Sequence, residues 1–390
     1  MSADGDSGHI LVVDDNEANR DLLSRRLQRL GHRTAMAENG RVALDMLAHE
    51  AFDLMLLDIM MPEMNGFELL EHTKADATLQ HMPVILISAL DDTESIVKGI
   101  VMGADDYLPK PFNKYILNAR VSASLARKRL HDLEQMHARS LEREMDIARN
   151  IQSGFLPDHL PDIGGLQLAA WFQPARRVGG DFYDAFELHG GKSIAMVLAD
   201  VCDKGVGAAL FMALVRTLVR ALAERMLSSD GDTAAEARQL IEAVNDYITR
   251  THDRADMFAT LFFAVLDGRS GALVYVNGGH EPPIITGAQG VRTELAPSGP
   301  AVGMMPDMVF RAHGEVLAPG ETLIMSTDGV TDAHDSEGVL FSHERLLDLV
   351  AQPAASAQSM VERICNAVRA HSCNVPQFDD ITLLVVHRPG

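Results

Sequence analysis

The sequence predicts an α/β protein with two domains of different class, joined by a long helix. At 390 residues the chain is too long for one ordinary domain. Up to about Asn113, short apolar runs alternate with helical periodicity, which indicates a doubly wound parallel sheet. Beyond the helix, the turn at Asp267–Gly271 joins two strand-like runs as a hairpin and therefore predicts antiparallel sheet.

Composition excludes several classes of protein. With 47% hydrophobic residues the chain can bury real cores, and a net charge of -21 argues against broad binding to nucleic acid. Cys202, Cys365 and Cys373 show no metal-binding spacing and form no even disulfide framework. The N-terminus lacks signal-peptide features, and charges interrupt the apolar helix Ala208–Leu227. We therefore expect a soluble, cytoplasmic protein without a membrane or nucleic-acid partner.

The first domain is predicted to contain five strands and the helices between them. The strands are His9–Val13, Thr34–Ala37, Asp53–Leu57, Pro83–Ile87 and Asp106–Leu108. The helices are Glu17–Leu30, Gly40–His49, Phe67–Lys74 and Thr93–Met102. The carboxyl ends of parallel strands share one crevice, so residues that follow the strands should meet there.

The residues that follow the strands have side chains that suit a single reaction. Asp14 and Asp15 follow the first strand, Asp58 the third, Ser88 the fourth and Lys110 the fifth. Carboxylates in one small space repel each other by several kcal/mol per pair at an effective dielectric of about 20, and Mg²⁺ would remove that penalty. Carboxylates, a lysine and a hydroxyl are what phosphoryl transfer onto an aspartate requires. The alternative is five unrelated turn residues.

The stretches LVVDDN, LLDIMMPEMNG, ILISA and DDYLPKPF resemble the receiver domain of two-component response regulators, a flavodoxin-like fold. The resemblance covers about Ile10–Leu125, within a domain at residues 8–125. It implies that Asp58 accepts a phosphoryl group from a histidine kinase or a small phosphodonor and becomes a 4-aspartylphosphate.

The resemblance also implies roles for the neighbours of Asp58. Mg²⁺ would be held by Asp15, Asp58 and the Met60 carbonyl, with Asp14 acting mostly through water. Three side chains would contact or respond to the acyl phosphate: Lys110, Ser88 and Tyr107. The Lys110–Pro111 peptide bond would be cis.

The segment Asn113–Ser153 contains no proline or glycine and carries apolar residues at mixed three- and four-residue steps. It predicts one helix of roughly 60 Å, within a linker at residues 113–155. Because an isolated helix of this length is marginal, we expect a coiled coil in a homodimer, imperfect at His137 and Ser140. The alternative is a helix that lies along its own domains.

The second domain is predicted to begin near Ile163. Its strands are Leu166–Phe172, Phe182–Glu187, Ser193–Asp200, Thr260–Leu266, Leu273–Asn277, Thr322–Ser326 and Ile381–Val386. Its helices are Ala208–Met226, Ala235–His252, His343–Val350 and Ser356–Ala370. Aspartates again fall at strand ends, and all-carboxylate ligation favours Mn²⁺ or Mg²⁺. On spacing alone, the Asp-Gly pairs are equally explained as turns.

The motifs ARNIQSGFLP, GGDFYD, ADVCDKGVGAAL, NGGHEPP, STDGVTD and DDITLLVV are similar to the bacterial PPM serine/threonine phosphatases of the RsbU and SpoIIE type. These relate to protein phosphatase type 2C, which implies an αββα sandwich with two metals, here at residues 160–388. The implied metal ligands are Asp181, Asp200, the Val201 carbonyl, Asp328 and Asp379. Asp380 and Asp332 would support them, and His280 would fix a loop.

Together the resemblances imply a response regulator whose output is dephosphorylation of phosphoserine or phosphothreonine. The implied substrate is a regulatory protein such as an anti-sigma-factor antagonist, and the implied cofactors are Mg²⁺ in the receiver and two Mn²⁺ or Mg²⁺ in the phosphatase domain. The alternative is an adaptor that binds a sigma factor or anti-sigma factor through an inactive phosphatase domain. The sequence does not identify the kinase, the substrate or the signal.

Overall fold

The computed structural model describes residues 7–89, 93–252, 256–373 and 375–390. The chain divides into two compact units, Met1–Leu141 and Glu142–Gly390, with the boundary inside a single long helix.

Strands and helices alternate throughout the N-terminal unit. They are β1 (His9–Val13), α1 (Glu17–Arg29), β2 (Arg33–Ala37), α2 (Gly40–His49), β3 (Leu54–Asp58), α3 (Gly66–Ala75), β4 (Val84–Ala89), α4 (Thr93–Val101), β5 (Asp106–Lys110) and α5 (Lys114–Ser153). All strand pairs are parallel, in the order β2-β1-β3-β4-β5. The predicted doubly wound sheet is confirmed, and the Lys110–Pro111 bond is cis.

The central strands of this sheet are buried on both faces because helices cover both sides. Leu11 and Leu57 pack on the side of α2 and α3. Val12, one residue along β1, packs on the opposite side with Leu23 of α1 and Leu117 of α5. This double burial explains why the strands are continuous apolar runs rather than alternating ones.

The helix α5 changes its environment along its length. Leu117, Val121 and Leu125 are buried in the core of the N-terminal unit. Apolar side chains further along are 49–64% exposed in the single chain: Leu130, Leu133, Met136, Leu141, Ile147 and Ile151. The helix therefore carries an apolar surface that its own chain leaves in contact with solvent.

The C-terminal unit contains ten strands and four α-helices within the part of the chain that is described. They are β6 (Gln167–Gln173), β7 (Phe182–Leu188), β8 (Ser193–Val201), α6 (Val206–Met226), α7 (Thr233–Thr251), β9 (Ala259–Asp267), β10 (Ala272–Gly278), β11 (Ile284–Gly287), β12 (Gly290–Glu294), β13 (His313–Val316), β14 (Thr322–Ser326), α8 (His343–Val350), α9 (Ala357–His371) and β15 (Ile381–His387). A short 3₁₀ helix, Asp328–Val330, follows β14.

Two antiparallel sheets stack face to face between two helical layers, as the resemblance implied. One sheet has the order β13-β10-β9-β8-β7 and the other β12-β11-β14-β15-β6. Alternate residues of β8 show the layering: Val197 packs against α6 and α7, whereas Leu198 packs between the sheets. In the same way Leu384 of β15 lies between the sheets and Leu383 packs against α8 and α9.

Three short strands, β11, β12 and β13, are not predicted by the sequence pattern. The last two are sheet edges with half-exposed or exposed residues. Edge strands of this kind carry no sustained apolar pattern, so periodicity cannot reveal them.

The helix α6 is long and apolar enough to cross a membrane by length and composition. Its residues Ala208, Met212, Val215 and Val219 are nevertheless fully buried in the core between the helices and the first sheet. Its apolar character is therefore accounted for by packing within the domain.

Candidate functional site

The carboxyl ends of β1 and β3 bring three aspartates together in the N-terminal unit. One carboxylate oxygen from each of Asp14, Asp15 and Asp58 lies within 4.8 Å of the others. Asp14 and Asp58 are buried, whereas Asp15 is exposed. The neighbouring positions of β1 and β3 in the parallel sheet create this cluster, since both strands end at the same edge.

Lys110, at the end of β5, reaches into this cluster. Its Nζ lies 2.8 Å from Asp58 Oδ2 and 3.3 Å from Asp14 Oδ2. Burial raises the pKa of Asp58, the charge of Asp14 adds to this, and the hydrogen bond from Lys110 opposes it. Burial alone would lower the pKa of Lys110. The hydrogen bond to Asp58 and the charges of Asp58 and Asp14 outweigh the effect of burial, so the pKa of Lys110 is raised. The lysine thus stays charged and offsets part of the carboxylate charge.

The other predicted receiver residues lie on the strands β4 and β5 and in the loop after β3. The Ser88 hydroxyl is buried and has no hydrogen-bond partner among the described residues, so it is free to bond an incoming oxygen. The half-buried Tyr107 lies under the Arg120 guanidinium, 4.7 Å from its ring centre. Met60 is 76% exposed and follows Asp58 by two residues. A side chain on Gly66 would collide with the Asp58 main chain.

This set of oxygen donors fits a hard divalent cation. Three clustered carboxylates with one lysine leave excess negative charge, and Mg²⁺ suits a site with few protein ligands. Asp14 is already fixed by the Asn16 main-chain N–H at 2.9 Å and the Asn19 amide at 3.2 Å, so its orientation does not depend on a metal.

A second carboxylate cluster lies in the C-terminal unit, where the ends of strands from both sheets meet. Asp181 precedes β7 and Asp200 lies near the end of β8, in one sheet. Asp328 follows β14 and Asp379 precedes β15, in the other. Their charges interact: Asp200 raises the pKa values of Asp181 and Asp328, and Asp379 raises those of Asp200 and Asp328.

Burial and neighbouring charges disfavour the ionised forms of Asp181, Asp200 and Asp328. Burial and the charges of Asp200 and Asp379 raise the pKa of Asp328 to about 7. Burial is also the largest cause for Asp200, whose pKa rises to about 6, although a hydrogen bond with Asp181 partly opposes it. Burial, Asp200 and Asp380 together raise the pKa of Asp181 well above its usual value. A divalent cation would relieve this repulsion.

Asp181 is held in place by two hydroxyls that the sequence analysis did not identify. Thr327 and Thr382 each donate a hydrogen bond of 2.7 Å to Asp181 Oδ2. The Thr382 main-chain N–H in turn donates to Thr327 Oγ1 at 3.1 Å. Both threonines adjoin quoted aspartate motifs, but nothing in the spacing connects them to a residue more than a hundred positions away.

Asp380 lies behind Asp181 and supports its loop. Its carboxylate accepts main-chain N–H bonds from Ala175 at 2.7 Å, Gly180 at 2.6 Å and, weakly, Asp181 at 3.5 Å. Burial raises the pKa of Asp380 although these three bonds oppose it. A Cβ atom at Gly180 would lie 3.0 Å from the Val201 carbonyl oxygen, so the glycine leaves that oxygen accessible within the cluster.

The remaining predicted residues, Asp379 and Asp332, lie at the rim of the carboxylate cluster. Lys204 Nζ contacts Asp379 Oδ2 at 2.9 Å and donates to the Phe378 carbonyl at 2.7 Å. Asp332 is exposed, and its charge raises the pKa of Asp328. Within the described ranges, no three of these carboxylates bring one oxygen each within 4.8 Å of one another. This cluster is therefore wider than that of the receiver.

His280 is fixed within its loop. Its Nδ1 lies 2.8 Å from Thr260 Oγ1, and its main-chain N–H donates to Asn277 Oδ1 at 2.8 Å. Burial lowers the pKa of His280 to about 4. The ring is therefore neutral at pH 7, and its contacts are those of a residue that shapes the loop.

The end of α5 contacts the loop that carries Asp181. The buried Gln152 amide donates to the Gly179 carbonyl at 2.6 Å, and its oxygen accepts the Gly179 N–H at 3.0 Å. Gly179 is two residues from Asp181, and Gly180 between them is bound by Asp380. The motif ARNIQSGFLP includes this glutamine, but the sequence alone assigned it no role.

Comparison with known proteins agrees with this division of the chain. Residues 190–389 match the family described as Stage II sporulation protein E (SpoIIE), and residues 10–122 match the response regulator receiver domain. The chain is similar to protein IcfG of Synechocystis sp., with 40% identity over 63% of this chain and 41% of that protein. Phosphoserine phosphatase RsbU of Bacillus subtilis is 26% identical over 64% of this chain and 71% of that protein.

Among solved structures, the SiaA-PP2C domain of Pseudomonas aeruginosa superposes with a TM-score of 0.55 and 24% identity, over 64% of this chain and 98% of that domain. This likeness shows the fold alone. The chain spans well under two thirds of the length of IcfG, and 58% of the response regulator PleD of Caulobacter vibrioides.

The first prediction concerns Asp58. The change Asp58→Asn keeps the shape of the side chain but removes the nucleophilic carboxylate, so acetyl phosphate should no longer add a phosphoryl group to the protein. Intact-mass spectrometry measures the addition. The exposed Asp45 on α2 provides a matched control, since Asp45→Asn should leave phosphorylation unchanged. Stable phosphorylation of the Asp58→Asn protein within residues 8–125 would contradict the assignment.

The second prediction concerns pH. The carboxyls of Asp200 and Asp328 have an ordinary pKa of 3.8, raised to about 6 and about 7 in the folded, metal-free protein. Between these values the folded state binds more protons than the unfolded state, so both groups lower stability as pH rises. Thermal unfolding in EDTA should show this loss, and Mn²⁺ should reverse it because the cation binds the ionised form.

The double variant Asp200→Asn/Asp328→Asn serves as the reference for this experiment. It should lose less stability than the native protein across the same pH window in EDTA, and it should gain less from Mn²⁺. Identical pH dependence of the two proteins would show that these carboxyls do not carry the proton linkage.

The third prediction concerns the end of α5. The change Gln152→Leu removes both hydrogen bonds to Gly179 and leaves a buried N–H without a partner, which costs about 1–3 kcal/mol. Main-chain hydrogen exchange at residues 179–181 should therefore accelerate. The exposed Asn150, half a turn away, is a suitable control, and Asn150→Leu should not alter exchange there. Unchanged exchange in Gln152→Leu would show that the contact does not order this loop.

Proposed function

The chain belongs to the Stage II sporulation protein E (SpoIIE) family, and from this we propose that phosphorylation of its receiver controls a metal-dependent protein phosphatase. The combination of receiver and PP2C-type phosphatase domain is that of a response-regulator phosphatase. The substrate we propose is phosphoserine or phosphothreonine on a regulatory protein such as an anti-sigma-factor antagonist. The likeness to phosphoserine phosphatase RsbU supports this class of substrate.

The observation that carries the proposal is the wide carboxylate cluster between the two sheets. Asp181, Asp200 and Asp328 all have raised pKa values because they are buried beside like charges. An adaptor that only bound a partner would have no need for this arrangement, which destabilises the folded state. Bound cations would offset this destabilisation, which is why we interpret the cluster as a cation site.

The residues divide into ligands and supports. Two Mn²⁺ or Mg²⁺ bound here would lower the pKa of a water molecule and polarise the phosphate ester. The groups that would hold the cations are Asp181, Asp200, the Val201 carbonyl, Asp328 and Asp379. The supporting groups keep these ligands oriented: Thr327, Thr382, Asp380 and Asp332.

The input domain works by phosphorylation of Asp58, from a histidine kinase or a small phosphodonor. Lys110 would contact the acyl phosphate and the unpartnered Ser88 hydroxyl would turn toward it, with Tyr107 following as the aromatic switch. We propose that the change reaches the phosphatase through α5, which begins in the receiver core and whose last turn contacts Gly179. Phosphorylation biases an existing equilibrium and, in this proposal, raises activity.

The assembly we propose is a homodimer formed through the linker. The exposed apolar residues of α5, including Leu130 and Leu133, would be covered by the same helix of a second copy. A cytoplasmic location without a membrane or nucleic-acid partner fits a chain with net charge -21 and a core-packed α6.

The fourth prediction tests this function with a generic aryl phosphate. Hydrolysis should require Mn²⁺, stop in EDTA and return when Mn²⁺ is restored. Asp200→Ala should reduce turnover by at least about a hundredfold, because it removes a carboxylate that would hold the cations. Beryllofluoride, which mimics the acyl phosphate, should stimulate the native protein but not Asp58→Asn.

Two results would count against the proposal. Undiminished hydrolysis in EDTA would rule out the two-metal mechanism. Absence of hydrolysis with any divalent cation, in a protein that still binds a sigma or anti-sigma factor, would favour the adaptor.

A further inference from the structure

A groove with positive charge runs beside the carboxylate cluster. A cavity of about 320 Å³ next to Asp379 continues into a second of about 510 Å³, and the two share His334 and Phe378. We call this the basic groove and define it by six residues that line it: Trp171, Arg176, Lys204, His334, Arg369 and Phe378. It lies entirely within the C-terminal unit, and none of these six residues holds a cation in the proposed mechanism.

The charge of this groove is opposite to that of the protein. The whole chain carries 55 acidic and 34 basic residues. Among the described residues that line the groove, Arg176, Lys204 and Arg369 are permanent cations, whereas Asp379 is the one carboxylate. Lys204 pairs with Asp379 at 2.9 Å, so the two arginines remain as uncompensated charge.

Arg176 is the cation best placed to bind a partner. It is exposed, and it makes no hydrogen bond or ion pair with any residue that the structure describes. Its neighbour Arg177 differs, since it pairs with Asp146. Guanidinium groups bind carboxylates through two parallel hydrogen bonds, so a free arginine beside a catalytic cluster suits an acidic side chain of a bound peptide.

The groove also offers an apolar surface. Phe378 is 64% exposed, and its ring is fixed by Lys204 at 4.3 Å and by the edge of His334 at 5.9 Å. Trp171 lies deeper, half-buried, with the Arg369 guanidinium 5.0 Å from its ring. Exposed aromatic side chains held beside cations are typical of surfaces that anchor an apolar residue next to a charged one.

We propose that the basic groove binds the segment of the substrate protein next to its phosphorylated residue, and that it selects an acidic side chain at Arg176 and an apolar side chain at Trp171 and Phe378. The inference rests on the proposed phosphatase function. Its geometric basis is Asp379, which belongs both to the carboxylate cluster and to the wall of the groove. A polypeptide whose phosphate reaches the cluster therefore passes over or beside the groove.

Three phosphoserine peptides of equal length test the preference. One carries glutamate and leucine beside the phosphoserine, one carries lysine and leucine, and one carries only glycine. With Mn²⁺, kcat/KM should be highest for the glutamate peptide and lowest for the lysine peptide, about three- to tenfold apart, because exposed ion pairs contribute modestly. The difference should shrink as salt is added.

Binding is measured separately from turnover. Trp171 is the single tryptophan of the chain, so intrinsic fluorescence reports on the groove directly. Phosphonate analogues of the same peptides, which are not hydrolysed, are titrated in the presence of Mg²⁺. The glutamate analogue should change the fluorescence at a concentration several-fold lower than the lysine analogue.

The charge-reversal variant Arg176→Glu identifies the contact. It should invert the preference between glutamate and lysine peptides, measured as the ratio of their kcat/KM values. Arg311 is exposed in the same unit and does not line the groove, so Arg311→Glu controls for overall charge and should preserve the preference. Equal binding of all three analogues to the native protein, or an unchanged preference in Arg176→Glu, would overturn the inference.

The two proposals can fail independently. If aryl phosphate is hydrolysed but the peptides are not distinguished, the phosphatase function stands and the groove is not a substrate site. If no phosphate is hydrolysed but the analogues still bind with the expected preference, the groove is a peptide site of a protein that is not a phosphatase.

Discussion

Both sites depend on buried or partly buried carboxylates being kept close together although their negative charges repel one another. In both domains the ends of strands bring aspartates near one another, and burial together with like charges raises the pKa values of Asp58 and Asp200. Neighbouring donors fix the geometry before any cation arrives. The Asn19 amide orients Asp14, two threonine hydroxyls orient Asp181, and three main-chain N–H groups orient Asp380. The sheets supply the rigidity that makes this possible.

The two clusters balance their charge differently, and this difference matches their proposed chemistry. In the receiver, Lys110 contacts both buried aspartates, so a single additional cation suffices for a site that accepts and stores one phosphoryl group. In the phosphatase domain, Lys204 reaches only Asp379 at the rim, and the pKa values of Asp200 and Asp328 stay raised. That cluster therefore keeps an excess of negative charge, which two divalent cations would neutralise.

The sequence predicted the features that follow from regular patterns. Continuous apolar strands, the unbroken helix to Ser153 and the acidic positions at strand ends all depend on local periodicity or on motifs, and the sheet orders agree with them. It could not predict contacts between distant segments. Thr327 and Thr382 meet Asp181 only because β14, β15 and the start of β7 converge. The exposed edge strands β12 and β13 lack any apolar pattern to detect.

The exposed middle of α5 has a consequence for how such proteins diversify. Residues such as Leu130 and Ile147 belong to neither domain's core, so we expect a change of helix length there to leave both cores intact. A helix turns by about 100° per residue. Insertions or deletions that keep the apolar residues of α5 on the same face of the helix would therefore be tolerated best. This stretch is therefore the natural junction at which evolution, or an engineer, could recombine sensory inputs with this catalytic output.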